Sequence, residues 1–458
     1  MRRFSLVLKS KKVSVSLICS VLFCYGTAFA TSEWQGEALG FTPPAAGVLG
    51  TMGGIRPVLE NNGFHFNLAW LSQAAWNASG GYNHDSHVAW IDQFSLTFQQ
   101  DLEALTGIAD AKIEGNIVNR NHDDSLTSKR LQDPRAPVVD ISQESSGGGS
   151  LTRLGWLTFS RTFQDRKLHW RIGLMNKVQD FDQIIPCDFQ LLSQCGGKSA
   201  NSFTWYNWNM HYWGTVLQYK LTDELTIKGG IMEQNPNATS RGHAWSWSNK
   251  GSKGLLLPLE LELKTQVNQL PGICNLGLLF TNAPQTDFYA GKTSETGADD
   301  PQGYRSHNRT WFWYGGFNQQ LTRHNEDAAR GLSASFSTGI GDRRSNLLHF
   351  VAAASLRYHG LANARPDDWL GLGVTWIETS KEYRRNQRYL NQLAEASESG
   401  SAFYNPVAGH AVNAELYYRF RAAGWLDIQP ALQYWHRPGT LKETQDAWVA
   451  GLKTVVTF

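Results

Sequence analysis

The sequence predicts an all-β fold, a transmembrane antiparallel β-barrel of about sixteen strands that follows a short N-terminal periplasmic segment. Large apolar residues alternate with small or polar residues in stretches of about ten positions, which is the strand pattern. The connections between these stretches tend to alternate between short and long. The composition combines 12% aromatic residues with only 18% charged residues, and the mean hydropathy is −0.37. This balance is typical of barrels whose strands face lipid outside and water inside.

The chain begins with a bacterial secretory signal over residues 1–30. Residues 1–12 hold five cations and no acid, an apolar run covers residues 13–25, and small residues stand at Ala28 and Ala30. The apolar run is too short to span a membrane as a helix. We therefore expect export of the protein and cleavage near Ala30.

The segment 31–63 precedes the first strand and is expected in the periplasm. Thr51 is a candidate N-cap for a short helix that ends at Gly63. Two placements stay open. The segment lies at or within the periplasmic mouth of the barrel, like a plug, or it is a mobile leader.

Residues 64–458 contain sixteen alternating stretches. In the last of them Trp448, Leu452 and Phe458 share one face, whereas Lys453 lies on the other. An even number suits an antiparallel barrel, because the chain then returns to the side on which it began. The predicted strand centres lie near residues 70, 96, 114, 157, 172, 216, 229, 261, 278, 315, 335, 353, 374, 415, 431 and 452.

The connections give the barrel its orientation. Short turns such as 164–167 and 221–224 follow even-numbered strands, which is typical of the periplasmic side of outer-membrane barrels. The segments 341–346 and 359–368 depart from this pattern. The long connections, expected outside the cell, cover residues 121–150, 178–211, 234–254, 284–308 and 380–408.

Several motifs resemble those of the carbohydrate-selective porin B family, which is found in the outer membrane of Gram-negative bacteria. The resemblance implies a sixteen-stranded porin that admits glucose and similar sugars by passive diffusion. It also implies contact with outer-membrane lipid and lipopolysaccharide, and a homotrimer. The motifs are "NIVNRN" at 116–121, "DPRAP" at 133–137, "DFDQIIPCDFQLLSQCGG" at 180–197, "WYNW" at 205–208, "EQNPNAT" at 233–239, "ARPDDWLGLGV" at 364–374, "IQPALQYW" at 428–435 and "AWVAGLKTVVTF" at 447–458.

Four polar residues of the third strand are candidates for the solute path. Lys112, Glu114, Asn116 and Arg120 share the face opposite the apolar one. A lumen with both charges and an amide suits a neutral polyol, because sugar hydroxyls both donate and accept hydrogen bonds. By resemblance, Arg120 is a constriction residue with Lys112 and Glu114 near it. The alternative is that these charges only hold one another.

The long connection 178–211 is the expected constriction, because a long third loop folds inward in related porins. Asp182, Asp188 and Gln190 are the side chains expected to face the cations of the opposite wall.

Cys187 and Cys195 flank the tip of this loop. In an oxidising periplasm they are expected to form a disulfide, which would stiffen the tip by about 2–3 kcal/mol. The alternative is a pair of free thiols.

Trp205 and Tyr206 belong to a dense aromatic cluster near the end of the same loop. Their rings either stack on passing sugars or form part of an interface girdle.

Other function classes find little support. A formal charge of +2 is too small to indicate nucleic acid, and no cofactor motif or metal site is predicted. His169, His211 and His359 are scattered without a serine partner at strand spacing, so we expect no enzyme. A general porin for small hydrophilic solutes is the main alternative. A barrel enzyme and an adhesin are more distant alternatives.

Overall fold

The computed structural model describes residues 47–85, 87–122, 126–143, 149–195, 205–396 and 401–458. The expected signal peptide and its cleavage point near Ala30 lie outside the described residues. None of the helices in these described ranges is long and apolar enough to cross a membrane.

Sixteen antiparallel strands form a closed barrel, in which the first strand pairs with the last. Every predicted strand centre falls inside one of them, so the predicted fold class is confirmed. The barrel strands are β1 Phe64–Gly81, β2 Ala89–Asp101, β3 Ala111–His122, β4 Thr152–Phe163, β5 Leu168–Met175, β6 Tyr212–Lys220, β7 Leu225–Gln234, β8 Gly254–Val267, β9 Leu270–Thr281, β12 Thr310–Gln320, β13 Gly331–Gly341, β14 Leu348–His359, β15 Trp369–Thr379, β16 His410–Ala423, β17 Leu426–His436 and β18 Gln445–Thr457.

Residue parity separates the outer face of the barrel from the lumen. On β18, Leu452 is 41% exposed on the outer face and Lys453 is 5% exposed inside. On β8, Leu259 and Leu261 are likewise exposed while Glu260 between them is buried. Successive side chains of a strand point to opposite faces, so the apolar set meets lipid and the polar set meets the lumen.

Two elements in the long connections were not predicted. The strands β10 (Gln285–Gly291) and β11 (Tyr304–His307) form a separate hairpin between β9 and β12. A thirteen-residue helix, Lys381–Leu393, follows β15. Its first turn is capped by the Ser380 hydroxyl, which accepts hydrogen bonds from two backbone N–H groups. The strand alternation elsewhere in the sequence masked this local cap signal.

Among the described residues, two shorter α-helices lie at the end of the barrel where β1 begins. One is α1, Ile55–Asn61, and the other is α2, Leu102–Thr106, so the Lys381–Leu393 helix is α3. The short helix predicted before the barrel is present, but Gly54 in a left-handed conformation precedes it, and the Thr51 side chain makes no cap hydrogen bond.

The described residues before β1 meet the end of the chain. The backbone N–H of Val48 donates to the carbonyl of Thr457 at 3.0 Å. The Arg56 guanidinium donates to the main-chain oxygens of Phe66 at 3.4 Å and Phe458 at 3.2 Å. We call residues 47–61 the seam clip, because they bridge the first and last strands at the end of the barrel where β1 begins.

Candidate constriction of the barrel lumen

The connection between β5 and β6 folds into the barrel in its described parts, residues 176–195 and 205–211, and we call these parts the lumen loop. Its first anchor is Asp180, whose carboxylate lies 3.2 Å from Nε of Arg171 on β5. The amide of Gln218 on β6 donates to the same carboxylate at 2.6 Å, and Lys228 on β7 donates to the Asp180 carbonyl at 3.0 Å. Three adjacent strands therefore hold this part of the loop.

Asp182 continues the same anchor. Its carboxylate pairs with Lys177 of the loop at 3.0 Å, and its backbone N–H donates to Glu260 on β8 at 2.7 Å. The hydroxyl of Tyr314 donates to the same Glu260 oxygen at 2.9 Å. The buried Glu260 carboxylate thus receives hydrogen bonds from the loop and from the neighbouring wall.

The second anchor lies at the loop tip, which we define as residues 187–195. The Asp188 carboxylate lies 2.9 Å from Arg357 on β14 and 3.3 Å from Arg419 on β16. Lys453 on β18 donates to the carbonyls of Asp188 and Phe189, each at 3.3 Å. Burial raises the pKa of Asp188, but the guanidinium groups of Arg419 and Arg357 outweigh it and hold that pKa below its usual value.

Glu415 on β16 binds the backbone of the tip. Its two carboxylate oxygens accept hydrogen bonds from the N–H groups of Gln190 at 2.8 Å and Leu191 at 2.6 Å. A Cβ on Gly451 of β18 would lie 2.2 Å from Oε1 of Gln190, so the glycine makes room for that side chain. The tip therefore packs closely against β16 and β18.

The two anchors lie on nearly opposite sides of the barrel. β7 and β16 are seven strands apart in the ring of sixteen, counted through β8, β9 and β12 to β15. Cys187 and Cys195 form the expected disulfide, which closes the tip into a ring. Residues 180–195 therefore cross the lumen and are anchored on both of these walls.

A second connection also enters the lumen, and the sequence analysis missed it. Asp140, between β3 and β4, accepts hydrogen bonds from the Ser193 hydroxyl at 2.7 Å and from Asn413 on β16 at 2.6 Å. The N–H of Leu192 donates to the Ile141 carbonyl at 2.9 Å. Burial raises the pKa of Asp140 to about 6, although these hydrogen bonds act in the opposite direction. Apart from the length of this connection, the sequence gives no local signal for the contact.

The four candidate residues of β3 lie on the lumen face, but they have different environments. Lys112 is exposed, and Glu114 pairs with Arg171. Asn116 and Arg120 are buried in the wall. The partner of Glu114 is thus Arg171 on β5 rather than Lys112 or Arg120.

Asn116 and Arg120 form a group with Trp208 of the lumen loop. The indole N–H of Trp208 donates to Oδ1 of Asn116 at 2.7 Å, and the guanidinium carbon of Arg120 lies 5.4 Å from the Trp208 ring centre. Nε of Arg120 donates to Gln93 on β2 at 2.8 Å. A Cβ on Gly155 would lie 2.2 Å from the Asn116 oxygen. Gly155 is unpaired in a bulge of β4, and this opening admits the hydrogen bond.

The aromatic candidates differ in accessibility. Trp205 is fully buried, with its ring 5.3 Å from Phe181 and 5.3 Å from the Lys177 amine. Tyr206 is half-buried, and its carbonyl accepts a hydrogen bond from the Tyr212 hydroxyl. Trp208, the last residue of the "WYNW" motif, is half-buried too. It is not among the candidates for the solute path that the sequence predicts. Trp205 lies in the apolar packing inside the barrel, whereas both of its expected roles require an accessible ring.

A metal site in the lumen would require several residues that could bind a metal ion. The described ranges contain no group of three or more His, Cys, Asp or Glu side chains placed to hold a metal ion.

Comparisons with known proteins agree with this architecture. The family model described as "Carbohydrate-selective porin, OprB family" matches residues 86–458. Porin B of Pseudomonas aeruginosa is 33% identical over 441 residues, which are 95% of this chain and 96% of that protein. The solved high pH structure of Pseudomonas putida OprB superposes with a TM-score of 0.88 at 31% identity, covering 92% of this chain and 100% of that one. The chain therefore belongs to the OprB family of carbohydrate-selective porins and forms a carbohydrate channel in the bacterial outer membrane.

Proposed function

We propose that the channel passes glucose and similar monosaccharides by passive diffusion, and that selection occurs where the lumen loop narrows the barrel. The observation that carries this proposal is the anchoring of the loop on two nearly opposite walls, through Asp180 and Asp182 on one side and Asp188 on the other. A loop held in this way keeps a constant distance from the free part of the wall. A filter that acts by size needs such a constant width.

The anchoring contacts suggest a division of roles among the candidate residues. Asp182, Asp188 and Gln190 make their hydrogen bonds to the wall and within the loop, so we assign them to positioning the loop. We assign solute contact to the half-buried Trp208 and the exposed Lys112, and we assign the buried Arg120 to positioning the Trp208 ring.

These groups suit a neutral polyol. A sugar presents hydroxyls that exchange their water contacts for the ammonium group of a lysine, and an apolar ring face that packs on an indole. Each contact is weak by itself, and weak successive contacts let a solute both enter and leave.

Swelling of proteoliposomes tests the proposal. Vesicles containing the purified porin should swell faster in glucose than in a sugar-free osmolyte of similar size, and slowly in a disaccharide. Equal rates for glucose and the osmolyte would reduce the protein to a general porin for small hydrophilic solutes. No swelling beyond that of empty vesicles would remove the channel function itself.

The resemblance supports further proposals about export and assembly. We propose cleavage near Ala30, contact with outer-membrane lipid and lipopolysaccharide, and assembly as a homotrimer. Intact-mass measurement of the purified porin tests the cleavage point. Chemical crosslinking in native outer membranes tests the homotrimer, which a monomer-only pattern would overturn.

A further inference from the structure

The seam clip exposes large apolar side chains although hydrogen bonds hold it in place. Ile55 is 56% exposed and Val58 is 60% exposed, while Val48 and Leu49 are 49% and 40% exposed. Arg56, between the first two, is buried. The clip therefore turns its one cation towards the barrel and its apolar side chains away from it.

The contacts of Arg56 place the clip beside the lipid-facing surface. The guanidinium carbon lies 4.4 Å from the ring centre of Phe66. Phe66 occupies the same face of β1 as Trp76, which is exposed on the outside of the barrel, whereas Gln73 on the other face is buried inside. The clip thus packs against an outward-facing ring at the periplasmic end, rather than against a lumen side chain.

We propose that the exposed apolar side chains of the seam clip insert into the phospholipid of the inner leaflet of the outer membrane. The surface that they form is continuous with the outward face of β1, which meets lipid because the barrel spans the membrane. The start of β1, the end of β18 and the short turns share this end of the barrel, and outer-membrane barrels turn that end to the periplasm. A short segment with apolar groups outward and its cation buried fits the boundary between headgroups and acyl chains.

Labelling in the full mature porin tests this placement. A bimane fluorophore is attached at Val58→Cys in a Cys274→Ser background that keeps the Cys187–Cys195 disulfide, and the porin is reconstituted in vesicles of brominated phosphatidylcholine. Leu452→Cys on the outer face serves as the lipid control, and Asp165→Cys in the exposed turn after β4 serves as the aqueous control. We expect bromolipid to quench the label at Val58 to about the extent seen at Leu452, and aqueous iodide to quench it weakly.

Two outcomes would overturn the proposal. Strong quenching of the Val58 label by iodide would place the clip in water. Protection from both quenchers would show that protein covers it, for example a second copy of the chain.

A second measurement keeps the proposal testable where a label perturbs the clip. Ile55→Asp with Val58→Asp should lower the midpoint of the heat-induced mobility shift in vesicles but not in detergent micelles, while Asn61→Asp should lower it in neither. An equal loss in vesicles and micelles would indicate a purely structural role and overturn the proposal. Glucose-driven swelling should be unchanged in the double variant, so this test stands apart from that of the sugar filter.

Discussion

Oδ2 of Asp188 lies 2.9 Å from Nη1 of Arg357, and this largely buried ion pair ties the tip of the lumen loop to β14. Asp188→Asn keeps the size of the side chain but leaves Arg357 and Arg419 without their carboxylate. Breaking a buried pair on one side costs about 3–5 kcal/mol. We expect a lower unfolding midpoint and faster swelling in a disaccharide, because the tip is released from its wall.

The matched control is Asp165→Asn in the short turn after β4, which should alter neither quantity. If Asp188→Asn left the disaccharide rate at its original value, the tip would not set the width of the channel.

The disulfide should matter less for transport than for stability. Replacing Cys187 and Cys195 together by serine opens the ring of the tip and should lower the free energy of unfolding by about 2–3 kcal/mol. Asp188 and Glu415 still bind the tip, so glucose and disaccharide swelling should keep their ratio. A loss of that ratio in the serine variant, measured on folded protein, would assign the channel width to the covalent bond instead.

Truncation of Trp205 should mainly affect stability, whereas truncation of Trp208 should mainly affect sugar preference. Trp205→Ala removes a fully buried ring and should cost about 3–5 kcal/mol of stability. Trp208→Ala removes a half-buried ring and should mainly reduce the preference for glucose over the sugar-free osmolyte. Thermal unfolding and swelling assays on both variants check the pair. A glucose preference lost only in the Trp205 variant would contradict the assigned roles.

Arg120→Ala should change the conduction of the channel while the ring of strands stays intact. The substitution removes the guanidinium that lies beside Trp208 and donates to Gln93. We expect an altered single-channel conductance and a weaker reduction of the current by added glucose. Arg166→Ala, at an exposed turn, is the control that should leave both unchanged. Currents identical to those of the original protein would show that Arg120 does not control the position of the Trp208 ring.

Asp140 predicts a pH dependence of stability. Because its pKa is raised from 3.8 in the unfolded chain to about 6 in the fold, the folded state keeps the proton over that interval. Stability from this group is therefore fully present below about pH 4 and is lost as the pH rises through 6, by at most about 3 kcal/mol. Asp140→Asn should remove this part of the pH profile, as measured by unfolding midpoints between pH 4 and 7. An unchanged slope would show that other groups cause it.

The barrel could be predicted from sequence because its rule is local. Successive side chains of a strand point alternately to the lumen and to lipid, so the faces on which Leu452 and Lys453 lie follow from their positions alone. The lumen contacts have no such rule. Asp188 is separated from Arg357 and Arg419 by 169 and 231 positions in the sequence. The residues next to Asp188 in the sequence give no sign of which arginines it contacts. The role of Trp208 depends in addition on a bulge at Gly155, which a strand pattern does not reveal.

The contact of Arg56 with Phe458 has a consequence for the order of events in biogenesis. The two residues are 402 positions apart, at opposite ends of the described chain. Synthesis and secretion deliver Arg56 long before Phe458, which follows β18. The seam clip can therefore take its final position only after β18 has paired with β1, so its docking would report that the barrel has closed.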